Sequence, residues 1–133
     1  MPDNTTATSV HELAPLLFVE DISRSVEFYC NKLAFKMTTN WQPDGNLQWC
    51  RLERDSVALM LQQACDEDGF PEDRGRGVHF FFNCDDADAE FARLAGAGLK
   101  LAPPKVAFYG MNQLFLTDPD GYELCFQNVA TES

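Results

Sequence analysis

Two stretches of this chain follow one pattern, and no other feature restricts its possible folds as tightly. Leu16-Leu17-Phe18-Val19-Glu20-Asp21 is an apolar strand ending in acid. It leads into a segment where Ile22, Val26, Tyr29 and Leu33 recur at helical spacing, which predicts a helix over residues 22–33. His79-Phe80-Phe81-Phe82-Asn83-Cys84-Asp85-Asp86 leads likewise into residues 87–95, with Phe91 and Leu94 at helical spacing. Asp21, and Asp85 or Asp86, suit N-caps, because a short carboxylate accepts from the first free amides of a helix. Three strand-like runs follow the first helix, at residues 35–41, 47–53 and 57–63, parted by Pro43-Asp44-Gly45 and Arg54-Asp55-Ser56. After the second come a run over residues 100–108 broken by Pro103-Pro104, then 112–117 and 122–127. Asp118-Pro119-Asp120-Gly121 turns the chain between the last two, since Pro presets φ and Gly accepts φ > 0. Both halves therefore read βαβββ. One such half leaves a sheet face uncovered, so two must pair to bury it.

At 133 residues the chain has room for one domain. That domain is expected over residues 12–130, with module one at about 12–65, an acidic Gly- and Pro-bearing linker at 66–76 and module two at about 77–130. Residues 1–11 are polar and lack the basic-then-apolar pattern of a secretory signal, so a flexible tail and a cytoplasmic protein are expected. The formal charge of −11 argues against nucleic acid as a partner; it reads first as solubility, with a cationic ligand as the sharper alternative. No apolar run approaches the roughly 18 residues of a membrane span. Five cysteines, odd in number and without a CxxC pair, read as small buried hydrophobes in a reducing compartment.

Phe18-Val19-Glu20-Asp21, then Ser25-Val26-Glu27-Phe28-Tyr29 with Leu33-Ala34-Phe35, and finally Phe115-Leu116-Thr117-Asp118-Pro119-Asp120-Gly121-Tyr122-Glu123-Leu124, stand in that order around the repeat. The sequence thereby resembles the vicinal oxygen chelate superfamily, the fold of glyoxalases, bleomycin-resistance proteins and extradiol dioxygenases, over about residues 13–128. Ala34 stands where that family usually has Gly. The resemblance implies an α+β fold of two tandem βαβββ modules curled into an open cup, in a dimer, with a divalent metal held from the first and fourth strands of each module. Those positions fall at Ala14, Met60, His79 and Cys125; Ala14 and His79 lie 65 positions apart, as do Met60 and Cys125. Ala14 cannot ligate and Met60 offers only a thioether, whereas a catalytic metal normally takes three good protein ligands. No metal or other cofactor is therefore expected. His79 also reads as a hydrogen-bonded histidine in a pocket wall, and Cys125 as packing. A Cys125 and His79 nucleophilic pair is the reactive alternative.

Side chains alternate across a strand, so these positions also set which residues face the cup. Leu16, Phe18, Trp49, Arg51, Met60 and Gln62 are assigned to it from the first half. From the second come His79, Phe81, Asn83, Asn112, Leu114, Leu116, Glu123, Cys125 and Gln127. Leu17, Val19, Leu52, Leu59, Leu61, Phe80, Phe82, Leu124 and Phe126 take the opposite face, under the helices. Trp41 and Tyr109 are placed near the mouth. The expected ligand-binding set is thus Phe18, Trp49, Arg51, Met60, Gln62, His79, Phe81, Asn83, Leu114, Glu123, Cys125 and Gln127, with Arg51 pairing Glu123 or holding an anionic group. Aromatic faces and amides with few ionisable groups suit recognition better than acid–base chemistry, although such aromatics can also fill a closed core. The expected function is a metal-free binding protein, a homodimer that sequesters an aromatic or cationic small molecule. The alternatives are a metal-dependent lyase, isomerase or dioxygenase drawing on His79, Cys125 and Glu123, and a partner-binding module that keeps only the fold.

Overall fold

The computed structural model describes residues 7–65 and 72–130. Module one forms a four-stranded sheet from β1 (Leu16–Val19), β2 (Lys36–Trp41), β3 (Trp49–Arg54) and β4 (Val57–Gln63), in the spatial order β1-β4-β3-β2. Module two repeats it with β5 (His79–Asn83), β6 (Lys105–Val106), β7 (Met111–Thr117) and β8 (Glu123–Val129), in the order β5-β8-β7-β6. The repeat holds down to the pairing. Leu16 opposes Met60 and Phe18 opposes Gln62 in the parallel β1/β4 pair, and 65 positions on Phe81 opposes Cys125 and Asn83 opposes Gln127.

Helix α1 (Ile22–Val26) starts where Asp21 accepts from the amides of Ser23 and Arg24 at 3.1 and 3.3 Å, and α2 (Ala87–Gly96) starts at Asp86, which accepts from Ala89. Past Val26 the predicted helix widens to π-type turns over Glu27–Lys32, which end at Ala34 in the left-handed region, φ 62°. The predicted run over residues 100–108 keeps only the two residues of β6, since Pro103 and Pro104 donate nothing to a ladder.

One core serves both modules. Leu17, Val19, Leu52, Leu59, Leu61, Leu124 and Phe126 leave the sheets on one side and pack with Ile22, Tyr29, Leu33, Ala87 and Leu94 from the helical segments. The rings of Phe35 and Phe82 meet across the modules, 6.1 Å between centroids. A polar clasp reinforces this junction. The fully buried Asp120 carboxylate accepts from the Glu20 amide, the Ser25 hydroxyl and Arg24, with Arg74 at 3.5 Å. Beside it, Asp118 accepts from the Tyr29 hydroxyl at 2.7 Å and from the amides of Asp120 and Tyr122. Residues 66–71 of the expected linker, and 1–6 of the expected tail, lie outside the described residues. The rest of the linker is not merely exposed: Gly75, φ 76°, lies so close to Tyr122 that a Cβ there would come 2.5 Å from the ring. No helix among the described residues is long and apolar enough to cross a membrane.

Candidate ligand-binding cup

Because both sheets turn their Leu- and Phe-rich sides to the shared core, each presents its other side outward. Opposed residues on paired strands share a face, so the registers define that side row by row. In module one, Trp41, Trp49, Gln62 and Phe18 form one row, and Thr39, Arg51, Met60 and Leu16 the next. The two indoles are direct cross-strand neighbours. With Gln48, Gln62 and Gln63 they line an open cavity of about 400 Å³, within the range of small-molecule sites. Trp41, placed near the mouth from the sequence, is one of the residues lining this cavity.

In module two the rows are His79, Glu123 and Thr117, then Phe81, Cys125 and Phe115, then Asn83, Gln127 and Gln113. Here one strand departs from the expected register. Strand alternation puts Asn112, Leu114 and Leu116 in the cup, yet Leu114 is fully buried and Leu116 nearly so, both in the core opposite Phe126 and Leu124. Phe115, Gln113 and Thr117 take their place. The cause is the loop 118–122, which sets Thr117 against Glu123; the cup positions of β7 therefore share the odd numbering of those on β8. That loop was the available signal, and the break at Pro103-Pro104 hid the phase of β7 from the strands before it.

Cys125 is expected at the ligand surface but is wholly screened, 0% exposed. Phe81 and Phe115 flank it on the two neighbouring strands, and their ring centroids lie 6.2 Å apart, edge to face. Burial pushes the Cys125 thiol up to about 11, which keeps it protonated and unreactive near neutrality. His79 Nε2 lies 2.9 Å from Glu123, and the imidazole stacks beside Phe81 rather than reaching Cys125 for a nucleophilic pair. Gln113 donates to the Tyr109 hydroxyl and to Gln127, and Gln127 to Asn83. Asn83 and Gln127, expected to orient a ligand, therefore bind one another first.

Arg51 pairs with Glu12 and Glu53 rather than with Glu123. Its terminal nitrogens each sit 2.8 Å from a Glu12 oxygen, and its Nε donates to Glu53 at 2.7 Å. These bonds raise the guanidinium's already high pKa and hold the Glu12 carboxyl below its ordinary value. Of the four positions where the family keeps metal ligands, Ala14 and Met60 belong to one module and His79 and Cys125 to the other. Among the described residues no group of three or more His, Cys, Asp or Glu side chains is placed to hold a metal ion. A separate crevice of about 410 Å³ opens on the core side, between Arg54, Phe82, Asp86 and Phe126. Of its charged groups, Arg54 is engaged with Glu90 at 2.8 Å and Asp86 caps α2.

Comparison with solved structures finds the same architecture. A glyoxalase/bleomycin resistance protein/dioxygenase from Nocardioides superposes with a TM-score of 0.71 at 20% identity, over 98% of this chain and 91% of that one. TnmS3, an antibiotic binding protein from Streptomyces sp. CB03234, gives 0.70 at 20% identity, over 92% of this chain and 99% of that one. The bleomycin-binding protein of Streptomyces verticillus, solved with copper(II)-bleomycin, gives 0.68 at 17%, over 94% and 99%. No curated protein sequence matches significantly. Residues 9–126 match the family described as Glyoxalase/Bleomycin resistance protein/Dioxygenase superfamily, and the chain belongs to it.

Proposed function

We propose that this chain is a small-molecule-binding protein of the cytoplasm that sequesters an aromatic ligand, cationic groups being tolerated or preferred, and that it works without a resident metal. The observation that carries this is the cross-strand pair Trp41–Trp49 beside Gln62 on an open sheet face. Two adjacent indoles offer a planar group a stacking surface, each contact contributing about 0.5–1.5 kcal/mol, and a cation gains a comparable amount over an indole face. The donors at the family's metal positions support the metal-free reading: an alanine, a thioether, a screened neutral thiol and one imidazole. Two structural neighbours are described as antibiotic- or bleomycin-binding, in keeping with this class of activity.

The proposal includes a homodimer. Leu16, Phe18 and Trp41 on one face, and Phe81 and Phe115 on the other, are 40–60% exposed. Aromatic rows of this kind are rarely left wet on a monomer, and facing module one of one copy to module two of the other encloses both.

A thermal-shift screen of aromatic cations tests the reading. A ligand at 100 times its Kd stabilises the fold by about 2.7 kcal/mol, and Trp49→Ala weakens that effect more than His79→Ala. A larger shift with a divalent metal plus a catechol or thiol adduct, abolished by His79→Ala, overturns it in favour of a metal-dependent enzyme. Sedimentation as a monomer at tens of micromolar, a working range for weak association, overturns the dimer.

A further inference from the structure

We infer that Arg51 is an anion subsite of the cup, held in reserve by Glu12, and that the cognate ligand carries an oxyanion about 7 Å from its aromatic ring. This rests on the cup reading above and adds to it the chemistry of a second contact. Glu12 lies four residues before β1, at the edge of the module-one sheet. Had the chain simply extended β1, its carboxylate would lie beside β4. Instead it closes a two-pronged pair with Arg51 on β3, two strands away from β1, so the two side chains meet on the outward side of the sheet. On the same arm, Val10 and Leu13 are 86% and 85% exposed.

The paired planar geometry is the one a guanidinium makes with any carboxylate, sulfonate or phosphate. Glu12 therefore occupies the cup's cation as a ligand's anion would. It is also easily displaced, because a half-exposed ion pair holding down a loose arm is weak. Glu53 keeps the guanidinium in place meanwhile, through the Nε bond and a bond from Thr38. Arg51 and Trp49 lie two residues apart on the same face of β3, hence about 7 Å along the strand. A ligand stacked on the indoles with an oxyanion at that distance takes Arg51 and releases the arm. The acidic net charge repels such a ligand at long range, but salt screens that field beyond about 8 Å, whereas the contact is local.

Two probes with one aromatic skeleton separate the parts: 8-anilinonaphthalene-1-sulfonate and its uncharged analogue N-phenyl-1-naphthylamine. Both tryptophans of the chain lie in the cup, so energy transfer from indole to naphthyl reports binding there. Glu12→Gln is expected to tighten the sulfonate about two- to five-fold, the equilibrium of an exposed ion pair, and to leave the neutral probe unchanged. Adding Arg51→Gln should remove that gain. If Glu12→Gln tightens both probes alike or neither, the anion subsite is refuted while the cup stands. If neither probe shows energy transfer, the cup reading falls, and this proposal with it.

Discussion

Ala34→Gly should stabilise this protein, although it removes a methyl group and adds none. Ala34 has φ 62° and is exposed, at the point where the widened helical turns close through the Leu33 amide to Phe28 and the Phe35 amide to Tyr29. A left-handed conformation costs a residue bearing a Cβ about 1–2 kcal/mol, and Gly there pays nothing. Against that, the unfolded chain gains freedom worth about 0.5–1 kcal/mol. The exposed methyl contributes no packing, so the balance is about 0.5–1 kcal/mol of stabilisation. With an unfolding entropy of about 2.1 cal/mol/K per residue over 133 residues, Tm rises by about 2–4 °C. Differential scanning calorimetry reads this directly, and Ala34→Val, β-branched and worse suited to positive φ, should move Tm the other way. A glycine variant less stable than the parent by 1 kcal/mol or more would show that the turn is not strained and refute the reasoning.

Asp120→Ala removes the acceptor shared by Glu20, Ser25, Arg24 and Arg74 at the module junction and should cost about 3–5 kcal/mol in urea denaturation; a loss under 1 kcal/mol would mean the clasp contributes nothing. Leu114→Ala should cost about 2–5 kcal/mol by opening a cavity in the core, whereas Phe115→Ala, half-exposed in the cup, should cost clearly less but impair probe binding; the reverse order would return β7 to the register expected from the sequence. Burial works to push the Glu90 carboxyl up, but hydrogen bonds from Arg54 and Arg93 outweigh it and hold the group below its ordinary value. Its folded pKa is thus below its unfolded one, so its stabilisation is present above about pH 4.3 and fades as pH falls through the folded value. The stability gap between parent and Glu90→Gln should therefore narrow on acidification below that point. Asp118, raised by burial, contributes a slope of opposite sign, but it does so in both proteins and cancels from the gap, so a gap that widens instead would refute the lowered Glu90 carboxyl.

Much of this protein is written in its sequence, because the deciding interactions are local or periodic. The ligand positions that the family resemblance implies tell which side of the strands at 16–19, 49–54 and 57–63 is buried, Asp21 and Asp85 or Asp86 mark where helices begin, and Asp118-Pro119-Asp120-Gly121 marks the last hairpin. The duplication supplies the second module from the first, while the register that sets Phe81 rather than His79 opposite Cys125 comes from the structure. What the chain folds into is therefore legible before any coordinate is known. The site is less so, because its contacts join residues that are remote along the chain. The face that β7 shows depends on how many residues the loop 118–122 spends in turning, which places Phe115 over Cys125 and sends Leu114 into the core. Arg51 meets Glu12 across 39 residues and His79 meets Glu123 on a neighbouring strand, and in each case several acids compete for one partner. Periodicity is indifferent among those partners; only the distances that strand order and chain path impose can choose between them.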